Sequence, residues 1–362
     1  MTDTMAVKPA ASRLSKSLSP RTRRVLVRMI ITALLIPLSF EVAGVRLTPS
    51  LLMMILLFPF LAQQYLKGVV RWRMPDLLFG LYVFWLSLTI FLNNPDRFVT
   101  FTGQQALATL TAYLAGRVLV LDRQDFISVV LFWVAASVLS VPFALYESLW
   151  DDPIILRFIR DYTPFNTFEF NDYESRMGLF RAQVVFTHPI HYGLMGAMII
   201  MPFWMGLSQR LSVTNRVLKS GLVCFATFLS VSSGAVLSVA LQVGTLIVYK
   251  IAEKIGSAWR VLIISGASLY VVLELLSNKS AFAAISGRLA FSGHTAHYRT
   301  LIWEYGSAQV LRTPICGNGY NYWPRLHWMV SSVDNHWLLL ARGHGLPALL
   351  FLVTSLCYAF YV

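Results

Sequence analysis

Charge is what this sequence has least of: charged residues make up 13% of its 362 positions. A soluble fold carries roughly a quarter. That scarcity excludes an ordinary soluble enzyme, and 56% apolar residues exclude a disordered or collagen-like chain. Acidic side chains are scarcer still, 17 against 30 Lys and Arg. Cysteine is nearly missing; the three present are too few for a disulfide framework. Cys224 and Cys357 stand inside apolar runs as small packing residues, and Cys316 stands alone. The chain also lacks a repeat of fixed period and any low-complexity segment. What it has is long apolar runs and a mean hydropathy of +0.61, the mark of a polytopic membrane protein.

The polar, basic segment 1–24 is followed by an apolar run, 25–40, that resembles a signal peptide. Phe40-Glu41-Val42-Ala43-Gly44 lacks the small-x-small cleavage pattern, so the run is expected to be a retained first span. Further runs lie near 47–66, 77–92, 98–120, 126–149, 188–207, 218–249, 259–276 and 345–362. Most are long enough to cross a hydrocarbon core of about 30 Å. The run 218–249 is too long for one crossing, and Ser232-Ser233-Gly234 interrupts it. Two helices meeting there bring the expected total to about ten.

Charge placement supports that count. Segments 1–28, 67–76, 117–125, 208–219 and 250–260 hold 18 Lys/Arg and 5 Asp/Glu, while the remaining segments hold 12 of each. The whole excess of +13 therefore falls on one side, as the positive-inside rule requires. This explains the basic balance without nucleic acid. The expected fold is an all-α polytopic membrane protein with a basic inner tail, 1–24, and a single transmembrane domain, 25–362. Two long segments, 150–187 and 277–336, face outward, the second lying between the ninth and tenth helices.

Those outer segments hold the chemistry. Arginine suits phosphate and diphosphate because its planar fork makes paired charge-assisted bonds and never deprotonates. Arg176 and Arg181 precede the span that starts at Pro189; Arg288, Arg299 and Trp303 follow in the larger loop. Outer arginines can equally anchor loops to lipid headgroups or pair with nearby acids. His188/His191 and His294/His297 have a spacing that could hold a metal. Pro189 intrudes on the first pair and no acid is well placed, so neither metal nor cofactor is expected. Asp334-Asn335-His336-Trp337 opens the last apolar stretch: Asp334 or Asn335 could cap a helix, and Asp334 or His336 could act as general base on a sugar hydroxyl. Gln104 and Gln105, polar groups within a span, are expected to face the bundle interior.

Three stretches together resemble the O-antigen ligase and polysaccharide polymerase family of bacterial inner membranes. Arg181-Ala182 with Phe186-Thr187-His188-Pro189-Ile190-His191-Tyr192-Gly193 is similar to that family's entry to a span. Arg299-Thr300-Leu301-Ile302-Trp303 with Pro314-Ile315-Cys316-Gly317-Asn318-Gly319 resembles its large outer loop. Asp334-Asn335-His336-Trp337-Leu338 with Gly345-Leu346-Pro347 resembles the start of a late span. Two departures stand out. Asp334 precedes Asn335 where ligases of the family present His, which leans toward a polymerase. Ser232-Ser233-Gly234 stands where the family often has Ser-Arg-Gly. Relatives also tend to carry further spans after the position of Val362, so the chain is expected to be a shortened product.

The resemblance implies a metal-independent glycosyltransferase of the bacterial inner membrane, with the N-terminus cytoplasmic. The donor would be a glycan on undecaprenyl diphosphate, and the acceptor a sugar hydroxyl of a second lipid-linked glycan at the periplasmic face. Arg181 and Arg299 would bind the diphosphate and stabilise charge as it leaves. Asp334 or His336 would activate the acceptor, with Arg288 assisting, and Arg176, His188, Asn335 and Trp303 would contact substrate. Besides the lipid bilayer, the implied partners are other polysaccharide export and chain-length proteins. A ligase, transferring the glycan to lipid A-core, shares the chemistry and differs in acceptor. A polysaccharide or lipid transporter would also use a broken helix at 232–234, but it predicts buried charge at mid-membrane, whereas this chain keeps nearly all its charge at the edges.

Overall fold

The computed structural model describes residues 18–42, 45–170, 175–207, 211–255 and 293–361, with a few helical positions between 260 and 275. The chain is mostly helical. Helix α1 (Pro20–Leu35), strands β1 (Leu38–Val42) and β2 (Val45–Leu47), and helices α2 (Pro49–Leu66) and α3 (Met74–Asn93) come first. A short 3-10 turn (Pro95–Arg97) leads to α4 (Phe98–Phe101), a π-helical turn (Thr102–Ala106) and α5 (Leu107–Leu119). Next are α6 (Arg123–Trp150), α7 (Ile154–Tyr162), β3 (Asn166–Thr167), α8 (Pro189–Ala197) and α9 (Ile200–Gly206). The broken pair α10 (Val213–Leu229) and α11 (Ser233–Ile255) follows, then α12 (Gly293–Arg312) and α13 (His336–Tyr361).

Among the described residues, five helices are long and apolar enough to cross a membrane: α2, α3, α6, α11 and α13. The expected break near Ser232 is present. Helix α10 stops at Leu229, Val231 takes φ 43°, and α11 starts at Ser233. Other expected spans are modified. The run 25–40 is helical only to Leu35, because Pro37 lacks an amide donor and disfavours helix at the residue before it. Beyond it, β1 pairs antiparallel with β2 (Glu41 opposite Arg46) and with β3 (Leu38 opposite Thr167), so the fold is not purely helical. The run 188–207 divides into the short helices α8 and α9, and half of 259–276 lies outside the described residues. Gln105, in the π turn, is exposed and Gln104 half-buried, so the first does not face the interior as expected.

The chain forms two compact units, residues 1–30, 50–121 and 299–362, and residues 31–49 and 122–298. In the first, α13 lies along α3, with Leu340, Ala348 and Leu352 packed among Tyr82, Leu86 and Ile90. At one end Asp76 closes the first turn of α3. Its carboxylate accepts from the Arg73 amide at 2.8 Å, from Arg117 Nε at 2.7 Å and from the Tyr113 hydroxyl. The Ser355 hydroxyl donates to the Pro75 carbonyl beside it, at 3.0 Å. At the other end the 93–97 turn meets the loop 314–335. Asn93 Nδ2 donates to the Cys316 carbonyl at 3.1 Å, and Asn94 Nδ2 to Asn321 Oδ1 at 2.8 Å. Segments 67–76 and 117–125 thus meet at one end of α3, and segments 93–97 and 314–335 at the other.

In the second unit, Ile127, Val130 and Val134 of α6 pack with Ile200 and Phe203 of α9 and Val223 of α10. Two glycines let α8 approach α10 closely. A Cβ at Gly193 would overlap the Ser230 hydroxyl, and one at Gly196 the Thr227 hydroxyl. Close backbone approach of this kind is how helices associate where lipid removes the hydrophobic drive. Helix α7 is amphipathic, with Leu156 buried, and Arg157 paired with Asp152 at 2.8 Å.

Candidate functional site

The first unit holds five of the residues singled out in the sequence. Asn335 is the cap of α13: its Oδ1 accepts from the Leu338 amide at 3.1 Å, and its carbonyl from the Leu339 amide at 2.8 Å. Asp334 and His336 flank it and are exposed, with the His336 ring 5.9 Å from that of Trp337. Arg299 is half-buried and Trp303, one turn later on α12, is exposed. Helix α12 meets the first turn of α13 at Gly306, where a Cβ would press on the Leu338 side chain. Arg299 thus lies two turns before that contact, and Asp334 and His336 precede Leu338 by four and two residues.

What fixes this end of the unit is a backbone interlock. Helix α13 breaks at Gly345, whose φ of 81° and ψ of 171° leave the helix two residues before Pro347. Into the break fits the segment after α12. The Asn318 amide donates to the Arg342 carbonyl at 2.8 Å, Gly319 to Gly343 at 2.9 Å, and Leu346 back to Pro314 at 2.7 Å. A Cβ at Gly317 would overlap the Gly343 carbonyl, and one at Gly345 the Ile315 carbonyl. Trp85 Nε1 donates to the His344 carbonyl at 3.0 Å, and the Thr89 hydroxyl meets His344 Nδ1 at 2.7 Å, so α3 holds the same kink. The glycines of Pro314–Gly319 and Gly345 therefore do backbone work. Tyr320 extends the cluster: Arg97 lies 5.4 Å from its ring centroid, and burial pushes its phenol above the ordinary value against that nearby charge.

The second unit holds Arg176, Arg181 and His188. Half-buried Arg176 closes a tight turn with Leu179, its amide donating to the Leu179 carbonyl at 2.9 Å. Arg181 sits on an irregular segment whose backbone is held on three sides. The Phe180 amide donates to the Ser148 carbonyl at 2.9 Å and the Ala182 amide to Leu229 at 3.1 Å. The amides of Gln183 and Val184 both donate to the Glu147 carboxylate, at 2.8 and 2.9 Å. Val184 is held at φ 55°, a costly conformation for a β-branched residue that persists only where its surroundings impose it. His188 caps α8 through Nδ1, which accepts from the Ile190 amide at 3.1 Å; His191 Nδ1 meets the Thr187 hydroxyl at 3.0 Å. Among the described residues no group of three or more His, Cys, Asp or Glu could hold a metal ion. Arg288 lies outside the described residues.

Two residues were missed in the sequence although the signal was there. Glu147 is a carboxylate inside the apolar run 126–149, and Arg342 a guanidinium three residues before the run 345–362; an ionisable group in such a place asks for a partner or a function. Glu147 turns out to be the clamp for the Arg181 segment. Arg342 is buried, with its guanidinium carbon 5.4 Å from the Trp323 ring centroid. In comparisons with known proteins, no family model, curated protein or solved structure matches this chain.

Proposed function

We propose that this membrane protein is a polysaccharide polymerase. It transfers a glycan from undecaprenyl diphosphate to a hydroxyl of a second lipid-linked glycan at the periplasmic face of the inner membrane, with its N-terminus in the cytoplasm. The observation that carries the reading is the end of the first unit. A capped helix start presents an exposed carboxylate, Asp334, and an exposed imidazole, His336, on a helix that packs at Leu338 against the helix bearing Arg299 and Trp303.

In this reading Asp334 or His336 takes the proton of the acceptor hydroxyl as its oxygen bonds to the anomeric carbon of the donor sugar. The bond from that carbon to the diphosphate oxygen breaks, and undecaprenyl diphosphate leaves with the electron pair. Arg299 meets the charge that develops there, a role typically worth about 3–4 kcal/mol in transition-state stabilisation. Trp303 and Asn335 contact the sugars. Arg181 and Arg176 are assigned to substrate phosphate, His188 to substrate contact, and Arg288 to assisting the acceptor's activation. The rigid backbone under Arg181 suits that role, because a positioned donor reorganises little when charge appears.

The test is transfer by purified protein in liposomes, given a lipid-diphosphate-linked glycan in the presence of EDTA. Lipid-linked dimers and longer chains are expected. Activity that vanishes on chelation and returns with a divalent ion would overturn the metal-independent mechanism.

A further inference from the structure

The loop before α13 and the second turn of α13 bring together three donor side chains, Trp323, Arg325 and Arg342, two of which keep a buried N–H without an acceptor. Arg342 is 7% exposed, and its Nε has no hydrogen-bond partner. Trp323 is 1% exposed, and its Nε1 is likewise unpartnered. The guanidinium carbons of Arg342 and Arg325 lie 5.4 and 5.6 Å from the centroid of the same Trp323 ring. Two like charges therefore flank one indole, and among the described residues neither forms an ion pair.

Arg and Trp side chains have no acceptor to offer one another. The indole face offsets part of the charge of each guanidinium but satisfies none of its in-plane N–H groups. A buried cation without an anion, beside a second cation, is among the costliest arrangements a fold can hold. Here it is held deliberately. Arg325 Nε donates to the Met329 carbonyl at 2.9 Å and Nη1 to the Trp323 carbonyl at 3.2 Å, so backbone, rather than an acid, positions it. The Arg342 carbonyl is tied to the Asn318 amide at 2.8 Å, which fixes the other guanidinium's stem. A compact anion with several acceptor oxygens would satisfy these donors, and the arginine fork matches a phosphate group.

We propose that Arg342, Arg325 and the indole N–H of Trp323 form a subsite for a phosphate or diphosphate oxyanion. It stands on the side chains of the first unit alone and does not rest on the polymerase reading; its test uses binding rather than transfer, so failure of one is visible apart from failure of the other.

The experiment uses the purified full chain in phosphatidylcholine nanodiscs, titrated with inorganic pyrophosphate at constant ionic strength and followed by calorimetry and thermal unfolding. Saturable binding that raises the melting temperature is expected. Arg342→Met should weaken binding by about tenfold or more, yet without ligand melt no lower than the parent, because it removes an uncompensated buried charge. Trp323→Phe keeps the ring, loses the donor, and should weaken binding about fivefold. Should Arg342→Met fail to insert, Trp323→Phe decides alone. Absence of saturable binding by the parent, or unchanged affinity in Trp323→Phe or in a folded Arg342→Met, overturns the proposal. In discs that also contain phosphatidylglycerol, stabilisation that depends on Arg342 identifies a lipid headgroup as occupant. No such stabilisation, with pyrophosphate still bound, identifies a phosphate from another source; both results sustain the subsite.

Discussion

The amide of Gly319 donates to the carbonyl of Gly343 at 2.9 Å, fastening the loop that follows α12 to the kinked start of α13 by backbone alone. Side chains cannot substitute for such contact, since the space between the two segments of the interlock is closed to a Cβ at Gly317 and Gly345. Gly345→Ala would combine an unfavourable φ of +81° with overlap on the Ile315 carbonyl. It should cost about 3 kcal/mol or more. Gly317→Ala, at φ +64°, should behave alike. Gly343→Ala is the control: nothing lies within 4 Å of its Cβ, so stability should hold or rise slightly. Thermal unfolding of detergent-purified variants reads all three.

Glu147 supports the Arg181 segment through two buried backbone amides. Glu147→Ala leaves both unsatisfied and should destabilise the protein by about 2–4 kcal/mol. Its second expected effect is proteolytic cleavage near residues 181–184. Glu147→Gln retains one carbonyl acceptor and should fall between Ala and parent. Equal behaviour of the two variants would mean the carboxylate is not the clamp.

How far these features were legible in the sequence depended on whether they were local. The cap at Asn335, the helix start at Pro189 and the break before Ser233 follow from local chemistry, and each could be read from a few neighbouring residues. The strand 38–42 could not: its apolar residues continue a helical run, and only pairing with Val45–Leu47 and Asn166–Thr167 reveals it. Asp76 with Arg117 and Glu147 with Gln183 join residues far apart in sequence, and spacing cannot pair those. Likewise, the glycines of 317–319 and 345 read as motif letters until the interlock shows that each admits a carbonyl. Arg342 meets the Trp323 ring across 19 residues of sequence, a pairing that spacing does not reveal.

Sidedness rests on the one-sided excess of Lys and Arg. In a variant without the native cysteines, Cys placed at the exposed Glu169 should react with an impermeant thiol reagent in intact cells. Cys at the exposed Thr214 should react only after permeabilisation. The reverse pattern would remove the ground for an outer site.

Lysine keeps charge but loses the bidentate fork. Arg181→Lys and Arg299→Lys should therefore each lower the rate of polymer synthesis by about 10²-fold with membrane insertion unchanged. Arg157 and Arg160 of α7, both exposed, pair with Asp152 and Asp161 at 2.8 and 3.0 Å, and there lysine should serve nearly as well. Near-normal synthesis in all four variants would refute the phosphate role of the first two.

The most direct measurement of the central claim is glycan length in cells from which this protein has been deleted. The polymerase account predicts that single repeat units accumulate on the lipid carrier, that long chains disappear, and that the parent but not Arg299→Lys restores them to normal amounts. Long chains that persist on the carrier, unattached to their final acceptor, would contradict it and identify a ligase.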